Sequence, residues 1–383
     1  GGGSEMQIKR IKFLDKGFIF SLSVILAVGM IILYSASSSI GSDPLYYVKK
    51  QILWLAVGIV IAVMIVRFDY TQLEGYWKYL YGISIVTLVV VLIFGQEVRG
   101  TTGWIGFGPF PRMQPAEFTK ILLILAFAAY LNKRKDYLNN FKEMLPCFIF
   151  MGIPFMLIMM QPDLGTALVY IAVTFAMMFI AGANPKTLGK IILITMLFIS
   201  LILFMHFKFD TWLPLDDYQI DRLIVFVDPY NDGQGGRGAG WNTIQSLVAI
   251  GSGGLSGKGL FNGSQVQLNF LPEHHTDFIY AVIGEELGFI GAVLVILFYG
   301  ILLVRAVIIS FNANDLYGSY LVIGISAMWM FHIFENIGMS IGIMPITGIP
   351  LPFLSYGGSA MLTNMLAVGF ILSVNMRGKK LVF

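Results

Sequence analysis

Ten long apolar runs, separated by polar connections, make up most of the chain. They lie at roughly 17–37, 50–66, 76–95, 116–131, 144–161, 165–182, 187–206, 277–305, 317–341 and 357–376. About 20 apolar residues cross a hydrocarbon core as a helix, so the pattern predicts an all-α polytopic membrane protein of about ten transmembrane helices. Helices satisfy their own backbone hydrogen bonds, as hydrocarbon demands. The runs read as a single membrane domain over residues 6–383. Gly1–Glu5 reads as an artificial linker with Met6 as the native start, and no cleavable signal peptide is evident.

Composition agrees: 57% of residues are hydrophobic and 12% charged, against about 25% charged in soluble domains. A net charge of +3 is too small to imply nucleic acid, and the single cysteine, Cys147, rules out an internal disulfide. Charge distribution says more. With the N-terminus inside, inner segments hold 16 of the 25 lysines and arginines. That bias predicts cytoplasmic N- and C-termini.

The connections on the predicted outer side are unusual. Residues 96–116 are rich in Gly, Pro and Arg, and Gln161-Pro162-Asp163 is nearly the whole turn between spans five and six. Residues 207–276 form a large extracytoplasmic loop between spans seven and eight. It carries eleven glycines between Gly233 and Gly263 and two helix-patterned pieces, Tyr218–Val227 and Trp241–Ile250. That composition predicts a loop folded back onto the membrane surface. Residues 342–356 are Pro/Gly-rich yet apolar, which suits a re-entrant segment shielded by protein. The elaboration faces outward, and so should the function.

The densest polar cluster is Glu273-His274-His275-Thr276-Asp277, at the mouth of span eight. The run Leu287–Val304 is about 27 Å of helix, so Glu285 and Glu286 fall near the outer interface. Asp277 falls about 12 Å further out, at headgroup height. The bland reading is a cap, with Thr276 as N-cap and Asp277 in the first turn. Adjacent histidines lack zinc-ligand spacing, which leaves a hard divalent cation, magnesium or manganese, as the metal option.

Glu117 and Lys120 are i,i+3 at the start of span four, where a structural ion pair competes with a role in a polar cavity. Three acids, Glu117, Asp163 and Asp277, start three spans on one side, and convergence on one cavity is expected. His332, Glu335 and Asn336 lie together in span nine, suited to interhelical hydrogen bonds or to a proton path. Gly251–Gly259 fails the Walker pattern, because Ser252 and Gly259 stand at required positions. Its amides and Lys258 still suit a pyrophosphate.

Ordered motifs run through nearly all the spans. They are Arg99-Gly100 with Trp104, Gln114-Pro115-Ala116-Glu117 with Lys120, Gln161-Pro162-Asp163-Leu164-Gly165-Thr166, and Leu271-Pro272-Glu273-His274-His275-Thr276-Asp277-Phe278-Ile279. Gly284-Glu285-Glu286-Leu287-Gly288 and Gly348-Ile349-Pro350-Leu351-Pro352-Phe353-Leu354-Ser355-Tyr356-Gly357-Gly358-Ser359 complete the set. In these the chain resembles the SEDS family (shape, elongation, division and sporulation). The stretch from Asn336 to Pro352 is more like the rod-shape branch, RodA, than the division branch, FtsW. The resemblance implies a ten-span peptidoglycan glycosyltransferase of the bacterial plasma membrane that polymerises lipid II. It implies activation by a class B penicillin-binding protein through that protein's single span, alongside other elongation-complex membrane proteins. The family's essential acid falls on Asp277 and its cavity residues on Glu117, Lys120, Asp163 and Trp104.

The expected step has Asp277 as general base, with inversion and release of undecaprenyl pyrophosphate. Arg99, Lys120, Arg222 and Lys258 are candidates to offset the pyrophosphate charge, Glu273 and His275 to position Asp277, and Ser355 to line the site. The rival class is a lipid II flippase, which would place broken helices and ionisable groups at mid-depth.

Overall fold

The computed structural model describes residues 14–40, 43–98, 101–106, 112–209, 211–213 and 217–378. Ten apolar helices stand where the ten runs predict them. They are α1 (Lys16–Ser37), α2 (Tyr46–Arg67), α3 (Trp77–Phe94), α4 (Pro115–Arg134), α5 (Phe141–Met159), α6 (Leu164–Ile180), α7 (Pro185–Phe209), α11 (Ile279–Phe311), α12 (Leu316–Ser340) and α13 (Gly358–Gly378). Nine are long and apolar enough to cross a membrane, and α6 is a shorter apolar helix of 17 residues. Between α7 and α11 lie α8 (Asp217–Val227), α9 (Trp241–Gly253) and α10 (Ser264–Gln267), the first two matching the helix-patterned pieces.

Short polar side chains set the helix starts. Asp15, Asn140, Asp163 and Asp315 accept from the backbone amides of Phe18, Glu143, Thr166 and Gly318. Each satisfies one of the orphan donors that begin a helix.

The helices sort by burial. α4, α12 and α13 form the centre, with most of their lengths covered by other helices, whereas α7 buries little beyond Leu188. Small residues allow the close crossings. A Cβ on Gly369 of α13 would come within 3.0 Å of Ala62 Cα in α2, the small-residue contact that packs membrane helices.

A two-stranded antiparallel ribbon, β1 (Gln96–Val98) and β2 (Thr101–Trp104), follows α3, with Val98 opposite Thr101. The 96–116 loop carried no strand prediction. Its signal was the β-branched Val98, Thr101 and Thr102 flanking Arg99-Gly100.

Span eight is not one continuous helix. α11 is broken at Gly288, whose φ of 67° and ψ of −166° suit glycine alone. Glu285 and Glu286, just ahead of the break, are fully buried by protein. The break leaves their carbonyls without helical partners, and the amides of Lys258 and Gly259 supply donors at 3.0 and 2.9 Å. In return, the amides of Phe289 and Ile290 donate to the carbonyls of Gly254 and Leu255. The glycine-rich stretch is therefore the cap of a broken helix. The large loop folds back, but onto α11 and α12. A Cβ on Gly253 of α9 would lie 1.9 Å from the Gly284 carbonyl, and Ala249 is fully buried.

The second half of the 342–356 segment is buried in protein as expected, with Ile349, Leu351, Phe353 and Leu354 all in the core, whereas Ile343 in its first half is exposed.

Candidate active site

At the predicted outer end of the bundle, the mouths of α4, α6 and α11 and the segment 347–360 enclose a cavity of about 380 Å³. Glu117, Asp163 and Asp277 all line it, so the three acids that start three helices do converge. Trp104, Arg222 and His275 line it too.

The acids are held differently. Glu117 accepts from Lys120 Nζ at 2.7 Å, and both side chains are almost wholly buried. Lys120 lies beneath the wall, with its Nζ also 3.2 Å from His332 Nε2, and reaches the cavity through Glu117. The bland reading of this pair, a structural ion pair, is thus satisfied together with the cavity reading. Asp163 caps α6: its Oδ1 accepts from Thr166 N, and its Oδ2 from Thr166 Oγ1 at 2.8 Å and Gln114 Nε2 at 3.2 Å.

Asp277 sits in a run of turns just ahead of α11, half-buried. The expected cap is not made. The N-cap position belongs to Phe278 and carries no side-chain bond. Thr276 Oγ1 turns back to Glu273, 3.2 Å from its Oε2. Glu273 adopts a φ of 53°, and its carbonyl accepts from the amides of Thr276 and Phe278. A non-glycine residue in that region costs about 1–2 kcal/mol, and this one buys the tight turn that aims Asp277 across the cavity. On the far side Gly348, with φ 75°, comes so close that a Cβ there would lie 3.5 Å from Asp277 Oδ2.

Glu273 and Ser355 lie behind the wall. Ser355 Oγ donates to the Thr276 carbonyl at 2.6 Å and accepts from Leu351 N at 2.8 Å. His275 packs its ring 4.6 Å from that of Tyr47, and its carbonyl accepts from Tyr356 N. Both ring nitrogens of His274 lie against carbonyls, of Leu271 and Ala36, so this histidine ties the loop to α1.

Lys258 is not in the cavity. Its Nζ lies 2.7 Å from Glu285 Oε1, and that oxygen also accepts from Gln265 N and Ser264 Oγ. A fully buried carboxylate needs such partners, and Lys258 is one of them. Arg99 lies outside the described residues. Arg112 was missed in the sequence, although it shares the Pro/Arg loop with Arg99. It lines the cavity with Trp54, Thr347 and Tyr356. Arg112 and Arg222 are the two guanidinium groups of the wall among the described residues.

No group of three or more His, Cys, Asp or Glu side chains among the described residues is arranged to hold a metal ion. The break in α11 is stapled by loop backbone.

A family model described as "Cell cycle protein" (FtsW, RodA, SpoVE) matches residues 16–380. The chain is 35% identical to the peptidoglycan glycosyltransferase MrdB of Escherichia coli (strain K12) over 370 residues, 96% of this chain and 95% of that protein. It is 37% identical to the stage V sporulation protein E of Bacillus subtilis (strain 168), covering 92% and 94%. Among solved structures, it is similar to the rod shape determining protein RodA of Thermus thermophilus, with a TM-score of 0.68, 28% identity, and 94% and 96% covered. It is also similar to a chain from a peptidoglycan synthase complex that coordinates polymerization and crosslinking. There the TM-score is 0.77 at 29% identity, with 94% and 97% covered.

Proposed function

The chain belongs to the FtsW/RodA/SpoVE family and is a multi-pass peptidoglycan glycosyltransferase, and on that premise we propose that Asp277 is the general base of the transfer. The observation that carries this reading is that Asp277 lines one cavity together with Arg112 and Arg222. A base and two fixed cations then face the same bound substrate.

The substrate is lipid II. Asp277 takes the proton from the C4 hydroxyl of the acceptor's N-acetylglucosamine. That oxygen bonds to C1 of the donor's N-acetylmuramic acid as the C1–O bond to phosphate breaks. The configuration inverts, and the electron pair leaves with undecaprenyl pyrophosphate. Arg112 and Arg222 offset the growing charge on the leaving group, because fixed guanidinium groups need no reorganisation as charge develops. They replace Lys258, which is committed to Glu285. Lys120 acts through Glu117 and sets the charge of the wall. A divalent cation, magnesium or manganese, would take its ligands chiefly from pyrophosphate oxygens and water.

The protein works in the bacterial plasma membrane, with its N- and C-termini cytoplasmic and the cavity outside. Its partner is a class B penicillin-binding protein, whose single span and juxtamembrane region pack against the bundle. Other elongation-complex membrane proteins complete the assembly. The similarity to a chain from a complex that coordinates polymerization and crosslinking supports a crosslinking partner. The Asn336–Pro352 stretch supports the RodA branch.

Asp277→Asn protein, folded and partner-bound, is the test. It should polymerise lipid II about 1000-fold more slowly than wild type or worse. Wild-type glycan synthesis by that variant would refute the assignment.

A further inference from the structure

Three successive carbonyls of the turn that carries Asp277 accept hydrogen bonds from elsewhere in the fold. The His275 carbonyl accepts from Tyr356 N at 3.0 Å, that of Thr276 from Ser355 Oγ at 2.6 Å, and that of Asp277 from Asn336 Nδ2 at 2.8 Å. The first two donors belong to the apolar 342–356 segment. The third belongs to α12, and it does more. The same Nδ2 donates to the carbonyl of Ile349, also at 2.8 Å.

One amide nitrogen thus uses both its protons to join the turn of Asp277 to the segment facing it. Ile349 follows Gly348, the residue that stands against the Asp277 carboxylate. Beside the bonds from Ser355 and Tyr356, a single planar NH2 group thus ties the Asp277 carbonyl to the Gly348–Ile349 stretch that faces its carboxylate.

The chemistry fixes the orientation and the residue type. Two carbonyls require a donor, so the amide nitrogen and not the oxygen faces them. Leucine has no donor, aspartate would set a carboxylate against two carbonyl oxygens, and glutamine is longer by a methylene. Asn336 is fully buried, and its Oδ1 has no partner among the described residues. Packing alone would be served better by an apolar side chain. What an asparagine supplies here, and an apolar residue would not, is the pair of bonds from its nitrogen.

We propose that Asn336 is a positioning residue for Asp277, setting its distance from the segment at Gly348–Ile349. The inference rests on the reading of Asp277 as the base. Misplacing a reacting group by about 1 Å costs on the order of 100-fold in rate, and loss of a clamp shared by both walls permits a shift of that order.

The test is steady-state polymerisation of lipid II by the full chain with its partner, comparing wild type, Asn336→Leu, Asn336→Asp, Ser246→Ala and Asp277→Asn. Ser246 Oγ donates to the Ser340 carbonyl at 2.7 Å. Its loss removes a buried hydrogen bond near the same end of α12 and leaves the turn untouched. Thermal unfolding is recorded for each variant. Both Asn336 variants should lose about 100-fold in kcat with KM within about two-fold, while Ser246→Ala keeps the wild-type rate. Wild-type kcat in folded Asn336→Leu, with Asp277→Asn inactive, overturns the positioning role alone. An active Asp277→Asn overturns the base reading itself. If Asn336→Leu does not fold, Asn336→Asp, nearly isosteric, carries the measurement. Equal losses in Ser246→Ala and the Asn336 variants would mean general destabilisation, and would also overturn the proposal.

Discussion

Replacing Lys258 by methionine separates a structural lysine from a substrate-binding one. In the folded protein its Nζ lies 2.7 Å from Glu285 Oε1, and Glu285 is fully buried. Removing one partner of a buried ion pair costs about 3–5 kcal/mol, because the remaining charge is left uncompensated. Two features lower that figure here. Glu285 Oε1 keeps Gln265 N at 3.0 Å and Ser264 Oγ at 3.2 Å, and the lysine side chain is 27% exposed. A loss of about 2 kcal/mol is then reasonable, which lowers Tm by about 2–3 °C for a chain of 383 residues. The assay pairs thermal unfolding of purified Lys258→Met with lipid II polymerisation well below its Tm. The expected outcome is a lowered Tm with kcat and KM near wild type. An unchanged Tm with a ten-fold or greater loss of turnover would put Lys258 back on the pyrophosphate and refute the reasoning.

Other outcomes follow from the same contacts. Arg222→Met and Arg112→Met should each slow polymerisation at least ten-fold at temperatures well below Tm, where Lys258→Met keeps its turnover. Glu117→Gln strands a buried Lys120 and should cost about 3 kcal/mol or more; adding Lys120→Met should restore Tm without restoring synthesis. Gly253→Ala drives a Cβ into the Gly284 carbonyl at 1.9 Å, so α9 should detach from α11, seen as faster proteolysis within 207–276. The Asp232 carboxylate is held down to a pKa of about 2, first by the amide of Gly236 and then by those of Gln234, Gly238 and Gly240. Its hold on that loop is complete above the ordinary carboxylate range and is lost as pH falls through about 2. Pepsin at pH 3 should spare the wild-type loop and cut it in Asp232→Ala.

Much of this was legible in the residues. Apolar run length placed the ten helices, since hydrocarbon leaves a spanning backbone no other partner than itself. The acids Glu117, Asp163 and Asp277 stood out because ionisable groups at helix mouths are costly without a polar surrounding. Their convergence on one cavity, expected because all three start helices on the same side, is present in the fold. Lys258 and Arg112 were not legible. Which cation enters the cavity depends on how two loops fold back, and neither hydropathy nor spacing carries that.

The amino-acid sequence by itself therefore determined the membrane class, the number and extent of the helices, the family and the acid at the mouth of span eight. Those features rest on local periodicity and short motifs, which survive without knowledge of the neighbours. Only the tertiary structure decided the break at Gly288, because it is stable only when amides some 30 residues away meet its orphan carbonyls. It also decided that Asn336 holds two carbonyls at once, 59 and 13 residues distant along the chain. A hydrogen bond is fixed by distance and direction in space, and the chain order states neither.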